Sequence, residues 1–254
     1  MNDMSDPSAR LRLDQLLVER KLFATRSRAR DAVARSTVQV DGQVVAKPGA
    51  LVARNADLSV DDPASSYVSR AALKLIAGLD HFELDVKGRF ALDIGASTGG
   101  FTQVLLERGA AHVVAVDVGH DQLHKSLACH KNVTNHEGLN ARHLDFSHLD
   151  GHAIDCVVSD VSFISLKLAL PQALQLAVPN AICVLLVKPQ FEAGREAIGK
   201  GGLLRDPSQG PVIAENLRDW LNMQAGWRAF GICVSPIEGG DGNLEYLLAG
   251  IKDQ

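Results

Sequence analysis

The sequence predicts an α/β protein in two parts, a doubly wound sheet preceded by a small α+β module. Three observations carry that expectation. Short apolar strand runs alternate with helical stretches from Tyr67 onward. Near the start, two short helical patterns are followed by an Asp-Gly hairpin signal. Charge also divides between the two regions: residues 10–54 hold ten Lys/Arg against four Asp/Glu, a net +6, whereas residues 55–254 sum to −8. At 254 residues the chain has room for one or two domains. We expect a flexible polar tail at 1–9, a basic module at 10–60, a linker at 61–69 and a larger domain at 70–254.

Composition excludes several classes. With 46% hydrophobic and 22% charged residues, the chain is neither fibrous nor mostly disordered. Cys129, Cys156, Cys183 and Cys233 are widely spaced, with no Cys-x-x-Cys pair, so neither a disulfide framework nor a metal site is expected and a reducing cytoplasm fits best. The polar start has no apolar core and is not a signal peptide. The most apolar stretch, 166–187, is interrupted by Lys167, Pro171, Gln172, Gln175, Pro179 and Asn180. A bilayer span needs about 20 mostly apolar residues in a row, so no membrane partner is expected.

In the basic module, Leu13, Leu16 and Leu17 fall at i, i+3, i+4, the buried stripe of a short helix. Thr25 is placed to N-cap a second helix with Ala29, Ala32 and Val33 on its inner face. Arg26 and Arg30 flank one side of that stripe, Arg28 and Arg35 the other. Asp41-Gly42 between alternating valines then marks a type I′ hairpin, because both residues tolerate positive φ. Residues 57–66 hold the last strand of the module and the linker.

The stretches Arg12-Leu-Asp-Gln-Leu-Leu-Val-Glu-Arg20, Arg26-Ser-Arg-Ala-Arg30, Val38-Gln-Val-Asp-Gly42 and Lys47-Pro-Gly49 resemble the alpha-L RNA-binding domain, the fold of ribosomal small-subunit protein four. The resemblance covers about residues 11 to 60. It departs at Ser36, where that family commonly has glycine. It implies binding of structured RNA through phosphates and shape, with Arg12, Arg20, Lys21, Arg26, Arg28, Arg30, Arg35 and Lys47 as candidate contacts, joined by Arg70 beyond the linker.

In the larger domain, Phe90-Ala-Leu-Asp-Ile94 reads as a strand ending in Gly95-Ala-Ser-Thr-Gly-Gly100. A helix begins at Phe101 and a second strand ends at Asp117. Further strands are expected at 132–136, 154–159, 181–187, 227–234 and 244–249. This Rossmann-like alternation places ligands at the C-terminal strand edges.

A dinucleotide site normally reads Gly-x-Gly-x-x-Gly, with a pyrophosphate at the helix start. Here an acid, Asp93, precedes the first glycine, and the spacing is Gly-x-x-x-Gly. An acid there is poor for pyrophosphate and good for a cationic amino acid. S-adenosyl-L-methionine has an ammonium, a sulfonium and a ribose diol, and no phosphate. We expect it to be held by Asp93, the loop residues Gly95, Ala96, Ser97, Thr98, Gly99, Gly100 and Phe101, and by Asp117, Val118, Asn140 and Asp160. Asp117 is placed for the ribose hydroxyls. Asp145 or the 137–140 turn is placed for the adenine edge, although a helix cap explains either equally well.

Four charged residues sit where apolar elements end or are interrupted: Lys74 on a helix, Asp160 after the fourth strand, Lys188 after the fifth and Glu245 inside the last. Ribose methylation needs a base, because a 2′-hydroxyl is a very weak acid. A partly desolvated lysine beside another cation can serve. Cytosine C5 methylation usually needs a nucleophilic Cys, and none follows strand four.

The arrangement resembles the FtsJ-type ribose 2′-O-methyltransferases and, over about residues 10 to 250, the TlyA (haemolysin A) family of ribosomal RNA methyltransferases. The supporting stretches include Tyr67-Val-Ser-Arg-Ala-Ala-Leu-Lys-Leu75, Ser159-Asp-Val-Ser-Phe-Ile-Ser-Leu166, Val187-Lys-Pro-Gln-Phe-Glu192 and Gly242-Asn-Leu-Glu-Tyr246. The resemblance implies methylation of a cytidine 2′-hydroxyl in 16S or 23S rRNA, with ribosomal RNA or ribosomal subunits as partner. It makes Lys188 the proton acceptor held by Asp160, with Lys74 and Glu245 orienting the ribose. Phe163 or Phe191 would stack on an unpaired base or belong to the core. Alternatives are an RNA-binding protein without catalysis, a nicotinamide oxidoreductase, whose fingerprint is absent, and the membrane damage that the family's older name suggests.

Overall fold

A computed structural model describes residues 10–253, so the tail expected at 1–9 lies outside the described residues. The chain divides into two compact units between Ser65 and Ser66.

The first unit contains β1 (Arg10–Arg12), α1 (Leu13–Glu19), α2 (Arg26–Ala34), β2 (Val38–Val40), β3 (Gln43–Val44), β4 (Leu51–Ala53) and β5 (Leu58–Val60). Leu13, Leu16 and Leu17 are fully buried, as are Ala29, Ala32 and Val33 on the facing side of α2. Thr25 caps α2, its hydroxyl accepting from Arg28 N at 3.3 Å. The hairpin forms as its sequence dictates, with Asp41 at φ 50° and Gly42 at φ 77°. β2 pairs with both β3 and β5, and β1 pairs with β4 in a separate ribbon. That ribbon lacks alternating apolar residues and has no signal in the sequence. Ser36, between α2 and β2, is held at φ 62°.

The second unit is a seven-stranded sheet with helices on both faces. Its elements are α3 (Ala72–His81), β6 (Phe90–Ile94), α4 (Gly100–Glu107), β7 (His112–Asp117), α5 (Lys125–Ala128), β8 (Val133–Glu137), β9 (Cys156–Ser159), α6 (Leu166–Ala169), α7 (Pro171–Leu176), β10 (Ile182–Val187), α8 (Pro189–Glu192), α9 (Gln209–Asn222), β11 (Trp227–Val234) and β12 (Tyr246–Lys252). The strand order is β11-β12-β10-β9-β6-β7-β8. From β6 the chain runs outward through β7 to β8, then returns to the other side of β6 as β9. The topological switch point therefore lies between β6 and β9, where ligands of such sheets bind. β6 to β10 pair in parallel, whereas β12 runs antiparallel to both β10 and β11.

Alternate residues of each central strand enter opposite cores. Leu92, Val114, Val157 and Leu185 face Leu217 and Trp220 of α9, while Ala91, Val113, Val158 and Val184 face Leu75 of α3 and Leu105 of α4. The 166–187 stretch forms two short helices and β10, and no helix among the described residues is long and apolar enough to cross a membrane. The last strand starts at Tyr246, so Glu245 precedes it rather than lying inside it.

The Ser36 geometry has a measurable cost, since left-handed backbone is unfavourable for a residue with a Cβ. Ser36→Gly should stabilise the first unit by roughly 0.5–1 kcal/mol, the relieved strain exceeding the added unfolded-state entropy. Chemical denaturation of the full chain, followed at that unit, checks the direction.

Candidate active site

The loop after β6 and the loop after β9 press against each other at the switch point. Asp160 N donates to Ile94 O at 3.0 Å. Gly95 has φ +84°, and a Cβ there would lie 2.9 Å from Asp160 O, so only glycine admits this approach. Gly99, at φ +98°, ends the loop, and a Cβ there would meet Leu127 Cδ1 at 2.3 Å. α4 begins directly after it.

A cavity of about 540 Å³ opens over this loop. Of the expected cofactor residues, Gly95, Ser97, Asp117, Val118, Asn140 and Asp160 line it. Ala96, Thr98, Gly100 and Phe101 line a recess of about 60 Å³ that shares Gly95, Ser97 and Asp160. Gly99 and Asp93 line neither; Gly99 is packed on α5 and Asp93 is fully buried beneath the loop. Leu139 and Asn140 bring the expected 137–140 turn to the larger cavity, whereas Gln122 and Ala141 line it without having been foreseen, because their loops have no local periodicity.

Backbone donors organise the carboxylates around this cavity. Asp117 Oδ2 accepts from Ser97 N at 2.8 Å and Oδ1 from Gly119 N at 2.7 Å. Each oxygen retains a lone pair. Glu137 accepts from the backbone N–H groups of Asp121, Gln122 and Leu123 at 2.6, 2.9 and 3.0 Å, which hold its carboxyl below the ordinary value. Its work is to shape the loop after β7. Asn140 Oδ1 accepts from Arg142 N at 3.1 Å. Asp145 takes the cap reading: it accepts from Ser147 N at 2.9 Å, forms a capping box with His148 and lines neither the cavity nor the recess.

Asp93 is the most perturbed carboxyl of the site. Thr102 Oγ1 donates to its Oδ2 at 2.6 Å, while its buried Oδ1 has no partner. Burial pushes its pKa up to about 7, the Thr102 bond opposing and the charge of Asp160 adding to the rise. An unpartnered buried oxygen under the glycine loop fits a ligand with a cationic end.

Two ion pairs lie at the ends of β9 and β10. Lys188 Nζ sits 2.6 Å from Asp160 Oδ1 and directs a hydrogen bond to Ser162 Oγ at 2.7 Å. The contact with Asp160 is thus charge proximity, and the directed bond belongs to Ser162. Lys74 Nζ contacts Glu245 Oε2, both side chains being almost wholly buried. Burial pushes the Glu245 carboxyl up, while Lys74 and, more weakly, Lys188 pull it down. The four residues therefore share one electrostatic neighbourhood.

A second cavity, about 390 Å³, is lined by Lys188, Glu245, Gln190, Phe191 and Asp241, and it shares Ser162 and Phe163 with the first. Lys74 lines neither cavity and stands behind Glu245. Phe163 is 89% exposed at φ 65°, so it is not core; its ring lies 5.1 Å from that of Phe191.

A family model described as FtsJ-like methyltransferase matches residues 67–252. The 16S/23S rRNA (cytidine-2′-O)-methyltransferase TlyA of Mycobacterium tuberculosis is 43% identical over 242 residues, 94% of this chain and 89% of the relative. The chain belongs to the TlyA family of FtsJ-like methyltransferases. An S4 domain model matches residues 11–58 of this TlyA-family chain. The 23S rRNA (cytidine-2′-O)-methyltransferase TlyA of Campylobacter jejuni is 38% identical, covering 77% of this chain and 75% of that one. Among solved structures, a candidate hemolysin from Streptococcus thermophilus is 38% identical with a TM-score of 0.73, covering 96% of this chain and 89% of its own.

The buried Asp93 makes stability depend on pH. The folded protein keeps its proton up to about pH 7, whereas the unfolded chain releases it near the ordinary value of 3.8. Stability of the ligand-free protein should therefore fall as pH rises from 4 to 7, by on the order of 4 kcal/mol from this group, and level off above. Asp93→Asn should remove that part of the slope; denaturation midpoints of both proteins across the range check it.

Proposed function

We propose that this chain methylates a cytidine ribose 2′-hydroxyl of ribosomal RNA, with Lys188 as proton acceptor. The observation carrying the reading is the Lys188–Asp160 pair at the join of two cavities, Asp160 lining one and Lys188 the other. A methyl donor and a nucleoside acceptor could occupy them with their reacting atoms side by side.

S-adenosyl-L-methionine, when bound, supplies a methyl group made electrophilic by its sulfonium. The chain's own residues do the rest. Asp117 offers two oxygens to ribose hydroxyls, with Val118 and Asn140 beside it along the same cavity. Asp93, once ionised, supplies negative potential beneath the loop, and a bound ammonium group nearby would favour that charged form. In the acceptor cavity, Lys188, after its ammonium has released a proton to solvent, takes the proton of the 2′-hydroxyl as that oxygen bonds the methyl group and the sulfur–methyl bond breaks. Asp160 holds Lys188 in place, and Ser162 fixes the direction of the amine. Glu245, locked by Lys74, orients the ribose. Holding both reactants in line supplies much of the rate enhancement.

The S4-type unit grips RNA. Its basic residues divide by what they touch. Arg35 makes two 2.7 Å bonds to Asp62, and Arg20 donates to Ala56 O at 2.7 Å and to Arg54 O at 2.5 Å; these arginines brace the unit. Arg28 likewise donates to Ala64 O and Ser65 O, at 3.3 and 3.4 Å. Arg12 and Arg26 pair with the buried Asp14, each at 3.0 Å, while remaining about half exposed. Lys21, Arg30 and Lys47 are exposed and are the best-placed phosphate contacts. Arg70 belongs to the second unit, its guanidinium near Gly240 beside the acceptor cavity. A ribosomal substrate supports a cytoplasmic location.

Two experiments test this reading. Lys188→Ala should lower methyl transfer to rRNA by about 100-fold or more while leaving calorimetric binding of S-adenosyl-L-methionine within a few fold; full activity would remove the base assignment. Separately, Lys21→Ala and Arg30→Ala should each weaken RNA binding and reduce its salt slope by roughly one phosphate contact. Arg35→Ala should instead lower the melting temperature, because it leaves the buried Asp62 charge without its cation.

A further inference from the structure

We propose that His112, Asp150 and His152 form a binding site for a divalent transition-metal ion such as zinc, cobalt or nickel. Among the described residues they are the one group of His, Cys, Asp or Glu whose ligand atoms converge, one atom from each lying within 4.8 Å of the others. The sequence hides the group, because His112 opens β7 while the other two lie in the loop between β8 and β9.

All three side chains are oriented by neighbours rather than left to search. His112 Nε2 lies 2.8 Å from Thr134 Oγ1, and that hydroxyl donates to Asp150 Oδ2 at 3.1 Å. A hydroxyl has one proton, so Thr134 gives it to Asp150 and accepts from His112. The chain of bonds fixes the imidazole and the carboxylate relative to each other. Phe90, which pairs with His112 across β6 and β7, stacks on His152 with centroids 4.5 Å apart and planes at 20°. The two imidazoles are themselves 4.5 Å apart. Asp150 and Gly151 both adopt positive φ, at 53° and 75°, and this turn brings residues 150 and 152 to the same place. Partners that orient ligand side chains are what metal sites require beyond the ligands themselves.

The donor set selects the ion. Two imidazoles and one carboxylate suit borderline cations, whereas calcium and magnesium prefer oxygen donors throughout. Position indicates the role. His112 and Phe90 begin their strands, and Gly95 follows the far end of β6, about 16 Å away at 3.3 Å per residue. The ion would tie the β8–β9 loop to the sheet edge remote from the methyl-transfer site, and would take no part in chemistry.

The test uses the full chain after chelator treatment, titrated with Co²⁺ by absorption and with Zn²⁺ by calorimetry. We expect one equivalent bound with micromolar affinity, a higher melting temperature of the zinc-loaded protein, and methyl transfer unchanged. His152→Ala and Asp150→Asn should each weaken binding about tenfold or more, with circular dichroism confirming the fold; Asp150 is exposed, so its variant has little fold to disturb. Equal binding by wild type and both variants would overturn the site, since the ion would then reside on other surface histidines or Cys129. Failure to bind at all would overturn it too. Neither result depends on which nucleotide the enzyme methylates.

Discussion

Backbone touches backbone where the loop after β6 meets the loop after β9, and the functional half of the second unit hangs from that contact. Gly95 admits it by having no Cβ, and the Asp160 N–H to Ile94 carbonyl bond fixes its register. Because the two strands are parallel neighbours, both loops leave the same edge of the sheet. The glycine loop and Asp160 therefore form one wall. From it the larger cavity extends toward Asp117 on one side, and the Lys188 pair reaches the acceptor cavity on the other. A bulkier residue at 95 would separate these loops and with them the two cavities.

Charge inside this structure is expensive and is handled in two ways. Lys74 and Glu245 are almost closed to solvent and contact each other, an arrangement that specifies geometry more than it adds stability. Asp14 in the first unit is likewise closed off between Arg12 and Arg26, and the Arg12 bond holds its carboxyl below the ordinary range. Asp93 follows the other course: with no cation among its neighbours and one oxygen unpartnered, it holds its proton to about neutral pH.

Much of this is legible in the sequence. The leucine spacing of the first helix, the Thr25 cap and the Asp41-Gly42 hairpin are local signals, and each is realised locally. The central strands are equally plain, because a parallel strand buried on both faces must be apolar throughout. What escaped was long-range. Glu137 precedes a turn and resembles a ligand contact, yet its oxygens are claimed by three amides from another loop. Arg20 and Arg35 looked like their neighbours in a basic stripe, but carbonyls and Asp62 brought close by folding use them internally. Ser162 gave no signal because a serine matters here only through where Lys188 points. Local pattern reveals which face a residue occupies; it does not reveal which partner waits across the gap.

The reversal of direction at β12 has a consequence for how such a chain tolerates change. In an all-parallel sheet only residues that follow strands reach the ligand edge. Here Tyr246 pairs with Val187, so Glu245, which precedes its strand, arrives beside Lys188, which follows its own. Five further pairs continue that ladder to Ile251 and Ile182, anchoring both charges from within the sheet. The long excursion between them passes through α8, α9 and β11 before the chain returns to the same edge. Slipping the ladder by a single residue, by contrast, would turn the glutamate to the opposite face and leave Lys74 stranded without its counter-ion.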